Sequence, residues 1–171
     1  MKSKVKDQPP INPNSYYLEG YATTTTPDRD GERVSLNLCK LFYDLFQKEK
    51  VTVTKNHGED TYGVVCHSKL DEKGVWVRVL LEDPSVNEEI RKLIHKLDIG
   101  ETFGFSVVGS KHEHDHTDCM TTFTSCTPVG LGLAPYPSNP DCIVRMVKPK
   151  VKVSGLRCHR CNEFMVRQTV S

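Results

Sequence analysis

The feature that most limits what this chain can fold into is how its secondary-structure signals divide. Many short runs are rich in β-branched and aromatic residues, and only two segments carry helical periodicity. Residues 16–24 (Tyr-Tyr-Leu-Glu-Gly-Tyr-Ala-Thr-Thr), 51–55 (Val-Thr-Val-Thr-Lys), 61–68 and 74–82 have the composition and turn-bounded length of strands. Leu38, Leu41, Phe42, Leu45 and Phe46 recur at i, i+3, i+4, i+7 and i+8, the stripe of a core-facing helix. Val86, Ile90, Leu93, Ile94 and Leu97 make a second stripe, opened by the capping box Ser85-Val-Asn-Glu88 and stopped by Gly100. Strands in the majority with two interspersed helices predict an α+β, mainly β domain.

Turn chemistry punctuates these runs. Pro27-Asp-Arg-Asp-Gly31 follows the first strand, and Leu70-Asp-Glu-Lys-Gly74 joins two others as a hairpin-like connection. Trp76, the only tryptophan, reads as a core anchor. A β-like run over 119–127 gives way to Gly- and Pro-rich residues 128–140, and 142–153 reads as a last strand with Pro149 marking an edge. The expected domain map is a loose arm over 1–15, one folded domain over 16–153 and a tail over 154–171.

At 171 residues the chain is long enough for one domain with its own core. Its 23 basic and 22 acidic residues leave a net charge of +1, so neither nucleic acid nor an anionic membrane is expected as main partner. Apolar runs are too short to span a bilayer, and the basic N-terminus lacks the apolar core of a signal peptide. Seven cysteines, an odd number, predict free thiols in a reducing compartment.

Two positions carry candidate chemistry. Ser106 sits in Gly100-Glu-Thr-Phe-Gly-Phe-Ser-Val-Val-Gly109, entered directly from the end of the second helix. His57 follows the alternating strand 51–55 and shares the parity of Val51 and Val53, which predicts a half-buried imidazole on their side of the sheet. A serine hydroxyl becomes a nucleophile only when a base takes its proton as it attacks. Histidine does this and then protonates the leaving amine.

Other clusters have blander readings. His112, His114 and His116 alternate as ligands on one strand face would, but their polar setting reads as a solvated hairpin tip. Cys158-His-Arg-Cys161 is half of a zinc site, and no second CxxC completes it. Cys126 has no evident activating base.

Taken in order, Leu18-Glu-Gly-Tyr-Ala22, Asp28-Arg-Asp-Gly31, Asn56-His57 before Tyr62-Gly-Val-Val65, Gly104-Phe-Ser106 and Leu133-Ala-Pro-Tyr-Pro-Ser-Asn-Pro140 carry a family likeness. Over about residues 16–147 the sequence resembles the prohead (capsid maturation) serine proteases of tailed phages, distant relatives of herpesvirus assemblins. The resemblance implies a compact β-barrel with flanking helices and a serine endopeptidase with Ser106 as nucleophile and His57 as general base. It implies viral major capsid and scaffold proteins as substrates, a place inside the procapsid in the host cytoplasm, no cofactor, and leaves homo-oligomerisation open. In that family an acid before the Pro-rich motif completes the triad, whereas residues 123–134 here contain no Asp, Glu or His. If the hairpin turns near 115–116, Ser125 or Thr127 lies beside Ser106. Either hydroxyl, a backbone carbonyl, Glu59 or Asp60 is then a candidate to orient the imidazole. An inactive capsid-assembly homologue and a zinc-binding structural protein are the alternative readings.

Overall fold

The computed structural model describes residues 12, 14–117 and 119–149, with the backbone of 154–157 and 164–167. Strand β1 (Tyr17–Thr24) leads to a short β2 (Glu32–Val34), helix α1 (Leu36–Lys48) and strands β3 (Thr52–Lys55), β4 (Thr61–Leu70) and β5 (Gly74–Leu81). Helix α2 (Glu88–Asp98) then precedes the long hairpin β6 (Phe103–Thr117) and β7 (Met120–Pro135), a 3-10 turn (Pro140–Cys142) and β8 (Arg145–Val147).

These strands form one mixed sheet in the order β2-β7-β3-β4-β5-β1-β8, with β6 on the other edge of β7. Strands β2 and β3 run parallel to β7, and the remaining pairs are antiparallel. The mainly β expectation therefore holds, but closure into a barrel does not appear in the ladder. The sheet is an open path whose ends are tied by one bridge, Gly104 to Ile143, beside which the Val144 amide donates to the Phe103 carbonyl at 3.0 Å.

Alternation builds the core. Val75, Val77 and Val79 of β5 and Val53 of β3 are fully buried, and Phe42 of α1 and Phe105 of β6 pack into the same cluster. Ser35 caps α1 by accepting from the Leu38 amide. The buried stripe is rotated from the expected one: Cys39 is in the core and Leu41 is exposed. Helix α2 also starts later than expected. Asn87, not Ser85, accepts from the Glu89 and Ile90 amides, while the Ser85 amide donates to Asp83 in the preceding turn. Val86 thus precedes the helix and is 82% exposed. At the other end Gly100 adopts φ 89°, the Gly100 amide donates to Leu97 and the Glu101 amide to Lys96, a Schellman closure.

The β4–β5 turn is held by the Asp71 carboxylate, which accepts from the Lys73 and Gly74 amides. Trp76 lies on the outer face rather than in the core, half-buried beneath Lys69 and Arg78. On that face Glu19 accepts from Arg78 at 2.7 Å and from Arg145 at 2.8 Å, with Glu19 and Arg78 both buried. Burial pushes the Glu19 carboxyl up, but Arg145 and Arg78 together outweigh it and hold its pKa below the usual value. A carboxyl held low stabilises the fold above its unfolded pKa, and that contribution fades as pH falls through the lower folded value. Glu19→Ala leaves Arg78 buried without its anion and is expected to cost about 3–5 kcal/mol at neutral pH. Denaturant midpoints should show that gap narrowing below about pH 4; a gap independent of pH would contradict the role given to this ion pair.

Strands β9 (Ser154–Arg157) and β10 (Phe164–Arg167) pair antiparallel as a separate two-stranded sheet. Cys158, Cys161 and residues 1–11 lie outside the described residues. Among the described residues no helix is long and apolar enough to cross a membrane.

Candidate active site

Ser106 is placed by the strand that carries it. Phe103 and Phe105 point into the core, so period-two alternation turns Ser106 to the opposite face, where it is half-buried. Its partner across the β6–β7 ladder is Gly132.

His57 arrives by another route. Strand β3 ends at Lys55, and Asn56 and His57 follow in left-handed conformations, φ 47° and 61°. Those two residues end the alternation that predicted a half-buried imidazole, and His57 is exposed instead. The turn is closed by the Gly58 amide donating to Lys55 at 2.7 Å and the Lys55 amide donating to Asp60 at 2.8 Å. It is fastened to β7 by the Asn56 amide, 3.0 Å from the Leu133 carbonyl. Lys55 also reaches Glu89 of α2 at 2.7 Å, and Lys55 and Lys92 hold the Glu89 carboxyl down to about 2.

The two routes converge on Gly132. A Cβ at that position would sit 2.5 Å from both Nδ1 and Cε1 of His57, so the imidazole occupies the space a side chain would need. Seated there, His57 Nε2 lies 3.2 Å from Ser106 Oγ. This is within the reach a general base needs for a nucleophile's proton. Groups 49 positions apart in the chain are therefore joined as the sequence reading required.

Behind the imidazole the arrangement is bare. Among the described residues Ser106 is the one hydrogen-bond partner of the His57 ring. The hairpin turns at Thr117–Met120 rather than near 115–116, so Ser110 faces Thr127 and Glu113 faces Ser125. Both hydroxyls are thus drawn away from Ser106. Glu59 and Asp60 make no hydrogen bond to the ring, and Asp60 contributes its carbonyl to the turn.

The remaining candidates separate cleanly. Cys126 is buried, and burial raises its thiol pKa. His112, His114 and His116 stand on the exposed outer half of the hairpin. Lys111, at φ 54°, and register shifts between Ser110 and His114 break their alternation. His112 and His114 lie against Phe123, while His116 bonds Thr121. Among the described residues no group of three His, Cys, Asp or Glu side chains is placed to hold a metal ion.

A cleft of about 470 Å³ borders Ser106 on the inner side of β6, lined by Phe42, Phe105, Phe123 and Asp28 among others. Ser106 lines this cleft and His57 does not. The sequence reading ended its β-like run at Thr127 and drew no strand from Gly- and Pro-rich residues 128–140, whereas β7 runs on to Pro135. Gly130-Leu-Gly-Leu133 does alternate with period two, and Leu131 and Leu133 are buried.

No family model matches this chain, and no curated protein matches it either. Among solved structures it is similar to the bacteriophage T4 capsid assembly protease, at 13% identity and a TM-score of 0.57, over 70% of this chain and 81% of that one. It is also similar to the KSHV protease solved with a hexapeptide phosphonate inhibitor, at 10% identity and a TM-score of 0.51, over 78% of this chain and 65% of that one. At such identities the likeness establishes a shared fold.

Proposed function

We propose that this protein is a serine endopeptidase of viral capsid maturation, with Ser106 as nucleophile and His57 as general base. The observation that carries this reading is the 3.2 Å approach of His57 Nε2 to Ser106 Oγ over Gly132, in a fold shared with two viral proteases. In the proposed reaction Ser106 Oγ attacks a peptide carbonyl carbon while its proton passes to Nε2. The same proton then goes to the leaving amine, and water, deprotonated by the same nitrogen, hydrolyses the acyl-enzyme. The proposed substrates are capsid and scaffold proteins inside a procapsid, since the T4 neighbour is a capsid assembly protease.

Co-expression with the capsid and scaffold proteins of the same virus tests this. New N-termini should appear on one or both with the wild-type chain and be missing with His57→Ala. Identical termini in the two samples would refute the proposal.

A second reading is favoured by the bare side of the imidazole. Serine proteases ordinarily hold the base with an acid, and misplacing the tautomer costs about four powers of ten in a well-studied case. A capsid-assembly homologue that has lost turnover would keep this fold and leave both partner proteins uncut.

A further inference from the structure

The chemistry of Ser106 and His57 leaves unused the cleft that borders Ser106. Its volume of about 470 Å³ falls in the range of ligand-binding pockets, about 300–1,000 Å³. Its floor is apolar: Phe42 and Phe105 are each 2% exposed, and half-buried Phe123 continues it. Buried Cys126 also lines it, with a thiol that no hydrogen bond engages among the described residues.

The turn between β1 and β2 adds charge to this cavity. Asp28, Asp30 and Glu32 all line it, and among the described residues none of these carboxylates is paired with a cation. Asp28 is half-buried, and its Oδ1 accepts from the Asp30 and Glu32 amides, both at 2.9 Å. Those two bonds fix the carboxylate, and Oδ2 is left without a partner among the described residues. Against the three acids stand the His112 imidazole and Arg33, whose Nε donates to Thr122 at 2.9 Å. An incoming carboxylate therefore meets an excess of its own sign, whereas a cation on an aliphatic stem meets an apolar floor and free acceptors.

Ser106 and Val107 line the same cleft, so it begins at the residue that carries the nucleophile. Successive side chains of an extended peptide point to opposite sides. With a peptide carbonyl held at Ser106 Oγ, one residue flanking the scissile bond is turned toward this cavity. We propose that the cleft is a specificity subsite taking a lysine or arginine side chain of the substrate, its cation held by Asp28 with Asp30 and Glu32 beside it. This rests on the endopeptidase reading above.

The test is a peptide library varied on both sides of the scissile bond, cut by the full wild-type chain and by Asp28→Asn, which keeps the Oδ1 acceptor of the turn. Wild type should favour lysine or arginine over methionine at one flanking position, and in Asp28→Asn that ratio should fall about tenfold or more. The wild-type ratio should also shrink as salt rises from about 0.01 M to 1 M, which cuts the screening length from about 30 Å to 3 Å. Each ratio is taken within one preparation, so it does not depend on how much of the variant folds. Should Asp28→Asn yield no folded chain, Glu32→Gln, at an exposed position, is compared in the same way, with a smaller fall in the same direction. Equal ratios in wild type and variant, or a wild-type preference for acidic or uncharged residues at every flanking position, would overturn the subsite. So would a wild-type chain that reacts with a small fluorophosphonate at Ser106 yet cuts no peptide containing lysine or arginine. A folded wild-type chain that neither cuts any peptide nor reacts with the fluorophosphonate overturns the endopeptidase reading itself, an outcome distinct from the others.

Discussion

Ser106→Ala is expected to abolish proteolysis while leaving the fold intact. Removing a serine nucleophile lowers kcat by about a million-fold where this has been dissected, so cleavage of a co-expressed partner should fall below detection. Stability should change by about 0.5 kcal/mol or less. Ser106 Oγ bonds an exposed imidazole, and its loss therefore leaves no buried polar group without a partner. Thermal melting and cleavage, measured on the same preparation, check the two halves together. Retained cleavage with an unchanged melt would move the nucleophile elsewhere.

Gly132→Ala should have the next largest effect, and for a reason that ordinary strand preferences would not anticipate. Alanine is no worse than glycine in a strand, and Gly132 shows no left-handed φ, so the backbone accepts the change. The added methyl, however, would lie 2.5 Å from two atoms of the His57 ring. Something must move, and the ring moves most cheaply because it is the end of an exposed side chain on a turn. Its displacement breaks the contact with Ser106 while the sheet persists. Misplacing a catalytic group by about 1 Å costs on the order of 100-fold, and that is the loss of kcat expected with little change in melting temperature. Full activity in Gly132→Ala would show that the imidazole does not work from this seat.

The contrast between those substitutions explains what was legible in the sequence. Helix stripes, the Asp71 turn and the order of motifs could be read because each depends on local periodicity or turn chemistry. The pairing of His57 with Ser106 came from motif order, not from geometry. Parity gave the wrong exposure for His57, since two left-handed residues after Lys55 end the strand before the alternation reaches it. The glycines of β7 were hidden because strand preference counts against glycine, and only the third dimension shows an imidazole lying on one of them. Ser85 and Asn87 illustrate the same limit in a cap: both residue types suit the role, and the preceding Asp83–Pro84 turn claims the Ser85 amide. The β6–β7 register depended on where a polar hairpin tip turns, a choice among near-equivalent residues that sets which hydroxyls can approach Ser106.

The exposed setting of the pair fits a base that is positioned from beneath and along its own turn. Gly132 supplies the seat, the Asn56 amide pins the turn to Leu133, and the Lys55–Glu89 ion pair fastens it to α2. These contacts restrain the histidine from the β7 side.

Reaction of the full chain with a small fluorophosphonate, followed by mass spectrometry of the peptide that contains residue 106, tests the joining of this alcohol and imidazole most directly. One adduct, located on Ser106 in the wild-type chain and lost in His57→Ala, is the predicted result. A folded wild-type chain with no adduct at Ser106, or one whose labelling is as fast without the histidine, would contradict it.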